Sequence, residues 1–267
     1  MTRIIVVTSG KGGVGKTTTT ANLGTALAKR GHKVVLVDAD FGLRNLDLLL
    51  GLENRVVYTA VEAIAGECRL EQALVKDKRQ PSLALLPAAQ NRNKESVTPE
   101  QMKKLVMALQ KAFDYIVVDC PAGIELGFRN AISAANEAII VTTPEVTAVR
   151  DADRVIGLLE ANDIRAIRLI VNRIRPSMVE MQDMMSVEDV LEILAVPLLG
   201  IIPDDERIIT ASNRGEPIAL NQDRSLPAIA FNNIARRLDG EEVPFLDLMA
   251  AHNNLFNRIR RFFRGSS

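Results

Sequence analysis

Apolar positions along this chain fall into short runs separated by stretches of helical spacing, and the two kinds alternate from end to end. Ile4–Thr8 is a β-branched run, followed by Thr17–Arg30, where Ala21, Leu23 and Leu27 mark a helix that Gly31 closes as a left-handed cap. Lys33–Asp38 predicts a strand apolar on both faces, as buried parallel strands are. Leu83–Leu86 predicts a short strand ending at Pro87. Thr98-Pro99-Glu100-Gln101 combines a cap, a first-turn proline and a capping-box glutamine. The helix it starts is predicted to reach about Phe113, with Met102, Leu105, Val106 and Leu109 on one face. Tyr115–Asp119, Ala138–Thr142, Ile167–Asn172 and Leu198–Ile202 predict further strands, with helices near Val149–Asn162, Val187–Leu194 and Ala228–Leu238. This alternation predicts an α/β fold: a doubly wound, mostly parallel sheet with helices on both faces. Ligands of such sheets bind at the carboxyl ends of the strands, so those ends are where chemistry is expected.

Composition narrows the class. The 267 residues are 47% hydrophobic, enough for one large domain whose core needs no staples. Lys and Arg number 33 and Asp and Glu also 33, so the chain has no overall bias toward nucleic acid, and none is expected as a partner. Cys68 and Cys120 lie in unrelated contexts without C-x-x-C spacing, which suits free thiols in a reducing cytosol. No apolar run approaches the length of a membrane-spanning helix. The first strand begins within three residues of Met1, leaving no room for a signal or transit peptide. No repeat or interdomain linker is visible. One domain is expected over 1–247, followed by a tail over 248–267.

The densest chemistry lies in Ser9–Thr18, SGKGGVGKTT, which fits G-x-x-x-x-G-K-[ST] with Gly10, Gly15, Lys16 and Thr17 at the fixed positions. A β-branched strand leads in and a helix leads out, the context the motif requires. Gly10, Gly12, Gly13 and Gly15, with Val14 between, let backbone N–H groups curl around phosphate oxygens, and the helix N-terminus at Thr17 and Thr18 adds partial positive charge. Lys16 is expected at the β- and γ-phosphates and the Thr17 hydroxyl on Mg²⁺. This stretch predicts a nucleotide phosphate site.

Two further strands end in carboxylates. Val37-Asp38-Ala39-Asp40 places Asp40 to position or deprotonate an attacking water, with Asp38 nearer the shell of Mg²⁺. The segment Asp38–Asn45 predicts a first switch, with Asn45 toward a partner subunit. Tyr115–Val118 delivers Asp119, the expected holder of the Mg²⁺ water shell, and Gly123 can swing its backbone toward a γ-phosphate as a second sensor. At Cys120 a small, buried residue of little effect is expected, with sensitivity to oxidation the alternative for a thiol near the phosphates.

Lys11 is a second lysine that the basic motif does not require. The K-G-G-x-G-K-T form resembles the deviant P-loop of the MinD/ParA/nitrogenase-iron-protein group. The resemblance extends through the D-x-P-A-G run at Asp119–Gly123, Gly42–Asp47, Pro144–Val146, Val149–Arg154, Ser186–Leu194 and Asn213–Pro217, and so covers essentially the whole chain. It implies a Mg²⁺-dependent ATPase that dimerises with ATP, Lys11 reaching the nucleotide of the partner subunit. Asn172 looks like the group's base-recognition asparagine, with Pro203 and Asp204 as the other wall. In the division-site branch of the group, the helix carrying Asp151 and Asp153 meets the regulators MinE and MinC. Helix N-terminal carboxylates favoured by the dipole are the plainer reading of those two residues. The same branch implies a cytoplasmic protein, peripheral on the inner membrane when ATP-bound. A DNA-partitioning ATPase, a redox carrier and an ATP-binding scaffold are the alternatives. Neutral charge counts against the first, the cysteine contexts against the second and Asp40 against the third.

The tail favours the membrane reading over a last helix docked on the protein's own core. Asn253–Arg264 reads NNLFNRIRRFFR, and as a helix it sets Leu255, Phe256, Ile259, Phe262 and Phe263 on one arc, flanked by Arg258, Arg260, Arg261 and Arg264. Burying those five side chains gains about 7–15 kcal/mol. Ordering the segment costs a similar amount at about 1–2 kcal/mol per residue, and each arginine near anionic lipid returns about 1 kcal/mol. One tail is a marginal anchor, whereas two held in a dimer are a firm one.

Overall fold

Ile4 and Val6 turn to one side of their strand and Ile5 and Val7 to the other, and all four are buried. That alternation, repeated in every central strand, places a helical layer on each face of one sheet. The computed structural model describes residues 2–89, 97–221 and 225–250, so the tail residues singled out above lie outside the described residues. The strands are β1 (Arg3–Thr8), β2 (Val34–Asp38), β3 (Val75–Lys76), β4 (Leu83–Leu86), β5 (Tyr115–Asp119), β6 (Glu137–Thr142), β7 (Ala166–Ile174) and β8 (Leu198–Pro203). They lie in the order β3-β4-β2-β5-β1-β6-β7-β8. Every pairing is parallel except that of β3 with β4.

One face of the sheet packs against the helices Pro99–Leu109, Leu126–Ile132, Val146–Glu160 and Val187–Leu194 through residues such as Met102, Phe128, Val155 and Val190. The other is covered by Lys16–Lys29 and Leu226–Leu238, where Leu23, Leu27, Phe231 and Ile234 are buried. The doubly wound reading therefore holds, as do the cap at Gly31 (φ 94°) and the capping box at Thr98.

The structure departs from the periodicity in several places, among them the helices Ala60–Ala65, Leu126–Ile132 and Glu206–Asn213, which that pattern does not predict. The two-residue edge strand β3 is too short to show alternation. The helix from Pro99 stops at Leu109, not Phe113, because the chain must turn at Leu109–Ala112 to enter β5 beneath Lys33. The helix expected from Val149 begins at Val146, directly after Glu145, which moves Asp151 and Asp153 beyond the first turn. A dipole effect fades within that turn, so it does not account for them.

Candidate functional site

β1, β5 and β2 are neighbours, and their register brings three chemical groups to one edge. Val7 pairs with Asp119, and Asp119 with Asp38. Ala39 N–H donates to the Asp119 carbonyl at 3.0 Å and Cys120 N–H to the Val7 carbonyl at 3.0 Å. Two buried carboxylates thus stand side by side at the mouth of the Ser9–Thr18 loop. Burial first, then the charge of Asp119, pushes Asp38 up to about 8; the N–H groups of Asp40 and Leu46, which donate to its two oxygens, oppose that shift. Asp119 is raised by burial and held back by the charge of Lys16 and the hydroxyls of Thr17 and Thr20. Such a pair calls for more positive charge than Lys16 alone provides.

Asp40 adds a sharper signal. Its Oδ1 is buried with no hydrogen-bond partner, an arrangement that costs about 1–3 kcal/mol unless something polar arrives. No group of three or more His, Cys, Asp or Glu among the described residues could hold a metal by itself. Mg²⁺ tolerates this, since it keeps several waters and takes one or two carboxylates plus phosphate oxygens. Two raised carboxylates, a hydroxyl and an orphaned acceptor fit that ion.

The loop itself opens the helix Lys16–Lys29 with Gly15 as its cap, at φ 94° and with no side-chain cap. The first-turn N–H groups are therefore left for an anion. Gly15 has a second constraint: a Cβ there would overlap Asn172 Nδ2. Asn172 donates to the Val14 carbonyl at 2.8 Å and accepts from Arg173 N–H at 2.9 Å. Its amide thus staples β7 to the phosphate loop, leaving one N–H and one lone pair for a ligand. Asn172, Pro203 and Asp204 share a cavity of about 370 Å³ with Gly15, Thr18 and Ile208. The structure brings these three together beside the loop, and Asp204 is ion-paired to Arg175.

Lys11 stands apart. It lies on the outside of the loop, 43% exposed, with Nζ 3.1 Å from Glu145 Oε2 and 3.3 Å from Thr147 Oγ1. Asn45 is likewise exposed, at the start of the short helix Leu46–Leu49, and Gly123 has φ 93°. Asp153 is exposed and Asp151 half-buried on their helix. Cys120 follows the plainer expectation: it is wholly buried, and burial pushes its thiol up to about 12, so the reactive thiolate is suppressed.

Glu145, Thr20 and the Asp151 backbone were missed by sequence reasoning. Glu145 had a usable signal, since it follows Pro144 just past the carboxyl end of β6. Gly10 had none. A Cβ at Gly10 would run into the backbone carbonyl and Cβ of Asp151, so this glycine serves close packing of the loop on the helix Val146–Glu160. Gly10→Ala is expected to lower stability by about 1–3 kcal/mol or more through overpacking against backbone. Nucleotide affinity should fall with it, and calorimetric melting with and without nucleotide reads both. An unchanged midpoint would mean the helix yields freely.

A strand, a glycine-rich loop and an uncapped helix facing carboxylates from two adjacent strands define a P-loop nucleotide-binding protein. Residues 5–218 match the model of the CobQ/CobB/MinD/ParA nucleotide-binding domain, and the chain belongs to that family. It is 68% identical over 265 residues to the septum site-determining protein MinD of Synechocystis sp., covering 99% of this chain and 100% of that one. Among solved structures, it resembles the MinC:MinD cell division protein complex of Aquifex aeolicus with a TM-score of 0.85 and 52% identity, over 91% of this chain and 98% of that one. It also resembles the septum site-determining protein MinD complexed with Mg-ADP from Pyrococcus horikoshii, with a TM-score of 0.81 and 35% identity over 90% and 96% of the two chains.

Proposed function

We propose that this chain hydrolyses ATP as a timed switch in placing the division septum. The observation that carries the reading is the orphaned Asp40 Oδ1 beside the buried Asp38–Asp119 pair, at the mouth of a P-loop. Thr17, Asp38 and Asp119 would hold Mg²⁺, directly or through water; bound there, the ion supplies charge neutralisation to the phosphate oxygens. Lys16 and the N–H groups of residues 10–18 bind the phosphates. Asn172, with the wall of Pro203 and Asp204, orients the base. Asp40 holds the attacking water and takes up its proton.

Homodimerisation with ATP is supported by the outward placement of Lys11, by exposed Leu43 and Asn45 on the first switch, and by exposed Leu48 on the helix that follows it. Lys11 would leave Glu145 for the partner's phosphates, contributing to catalysis across the interface. MinC and MinE are the proposed protein partners, with Asp151 and Asp153 on the surface they meet. Near full-length likeness to MinD proteins supports the division-site role. No helix of the described residues is long and apolar enough to cross a membrane. The proposed location is the cytoplasm and, with ATP, the cytoplasmic face of the inner membrane through the tail.

Co-sedimentation with anionic vesicles tests the switch. The protein is expected to pellet with ATP and stay soluble with ADP. Leu255→Glu should still bind ATP yet remain in the supernatant. Pelleting that ignores the nucleotide, or survives Leu255→Glu, would refute the anchor. An ATP-dependent shift of duplex DNA without pelleting would replace this reading with a partition ATPase.

A further inference from the structure

An apolar groove of about 500 Å³ lies beside the last described residues. Ile174, Leu191, Leu198, Ile201, Phe245 and Leu248 line it, and its charged lining residues are both acidic, Glu188 and Asp247. The groove is built rather than left over. Arg237 donates to the carbonyls of Leu199 (2.9 Å), Val243 (2.9 Å) and Pro244 (2.8 Å), and its guanidinium lies 4.1 Å over the ring of Phe245. The rim is therefore pinned, although Phe245 remains 45% exposed. A fixed apolar hollow with an exposed aromatic edge favours an apolar occupant.

The chain supplies a candidate at short range. Leu248–Ala250 begin a helical turn, with Asp247 accepting the Ala250 N–H at 2.8 Å, and Leu248 and Met249 themselves line the groove. Asn253 is three residues further on, hence within about 10 Å of Ala250. As a helix, Asn253–Arg264 would span about 18 Å. A segment tethered so closely samples the groove at an effective concentration in the millimolar range. Its apolar arc matches the lining, and its four arginines match Glu188, Asp247 and the exposed Glu192 on the same helix as Glu188.

We propose that the C-terminal segment Asn253–Arg264 docks its apolar arc into this groove of its own chain when no lipid is present. The groove admits only part of the arc, so the docked state is shallow and a membrane can displace it. Docking shields Phe256 and its neighbours from water and from each other in the soluble protein. It also sets a threshold that lipid binding must exceed.

The chain contains no tryptophan, so Phe256→Trp in the full-length protein places a single indole in the tail. Without lipid, its emission should be blue-shifted and protected from acrylamide, relative to a peptide of residues 250–267 carrying the same change. Leu191→Glu or Glu188→Arg should abolish both effects and raise vesicle pelleting several-fold at fixed protein concentration. Emission and quenching equal to the free peptide's would overturn the proposal. So would protection that appears only as protein concentration rises, which would make a second copy the acceptor. Glu188 is exposed, so its variant keeps the test decisive if Leu191→Glu fails to fold. A protected indole in a protein that never binds vesicles would leave the docking intact and remove the membrane reading alone.

Discussion

Lys16→Ala is expected to weaken ATP binding in Mg²⁺ by about two to three orders of magnitude, measured by calorimetric titration or displacement of a fluorescent nucleotide. Lys16 is only 8% exposed, and its charge is among the groups that hold back the raised Asp119. Deleting one partner of a buried charged set costs about 3–5 kcal/mol, and each 1.4 kcal/mol is about tenfold in affinity. The loss falls on the bound state twice over. The phosphates lose their cation, and Asp38 and Asp119 then repel them without a counterweight. The helix Lys16–Lys29 keeps its buried face of Leu23 and Leu27, so the variant should fold. Ordinary affinity and turnover in Lys16→Ala would remove this loop from the chemistry.

Asp40→Ala is expected to cut turnover by about 10²–10⁴-fold, the usual yield of a positioned acid or base, while ATP binding is retained. The structure adds a sign to this prediction. Asp40 Oδ1 is buried without a partner, and the backbone N–H that Asp40 gives to Asp38, at 3.0 Å, survives truncation to alanine. Removing the orphaned oxygen should therefore leave the nucleotide-free protein equally stable, or more stable by up to about 1–3 kcal/mol. Slower turnover with an undiminished melting temperature is the signature of a group kept for catalysis at a cost in stability. A variant that melts earlier and turns over normally would show the opposite: a structural aspartate.

What the sequence disclosed and what it hid follow from the range of the interactions. The phosphate loop is ten consecutive residues between a strand and a helix, so its chemistry is written locally. Asp38 and Asp119 were legible because each ends an apolar run, and parallel sheets put such ends on one edge. The Lys11–Glu145 pair spans 134 residues, and the packing of Gly10 on Asp151 is as remote, so no local pattern announces either. Leu46–Leu49 and Leu70–Ala73 are single helical turns, too short for a period of 3.6 to repeat. Cys120 was legible as a small buried residue, since strand alternation turns its side chain into the core with Ile116 and Val118.

The pairing of Asp38 with Asp119 across β2 and β5 has a consequence for how this site can fail. Its spacing is a property of sheet register, and slipping one strand by one residue would turn a carboxylate to the opposite face. No partly loosened version of this carboxylate edge is therefore accessible through small motions. The Ala39 and Cys120 amides that lock this edge lie in residues at most 1% exposed, the class of group that exchanges its hydrogen only when the whole sheet opens. Whatever the loop beside them does, these carboxylates hold positions that last as long as the fold itself.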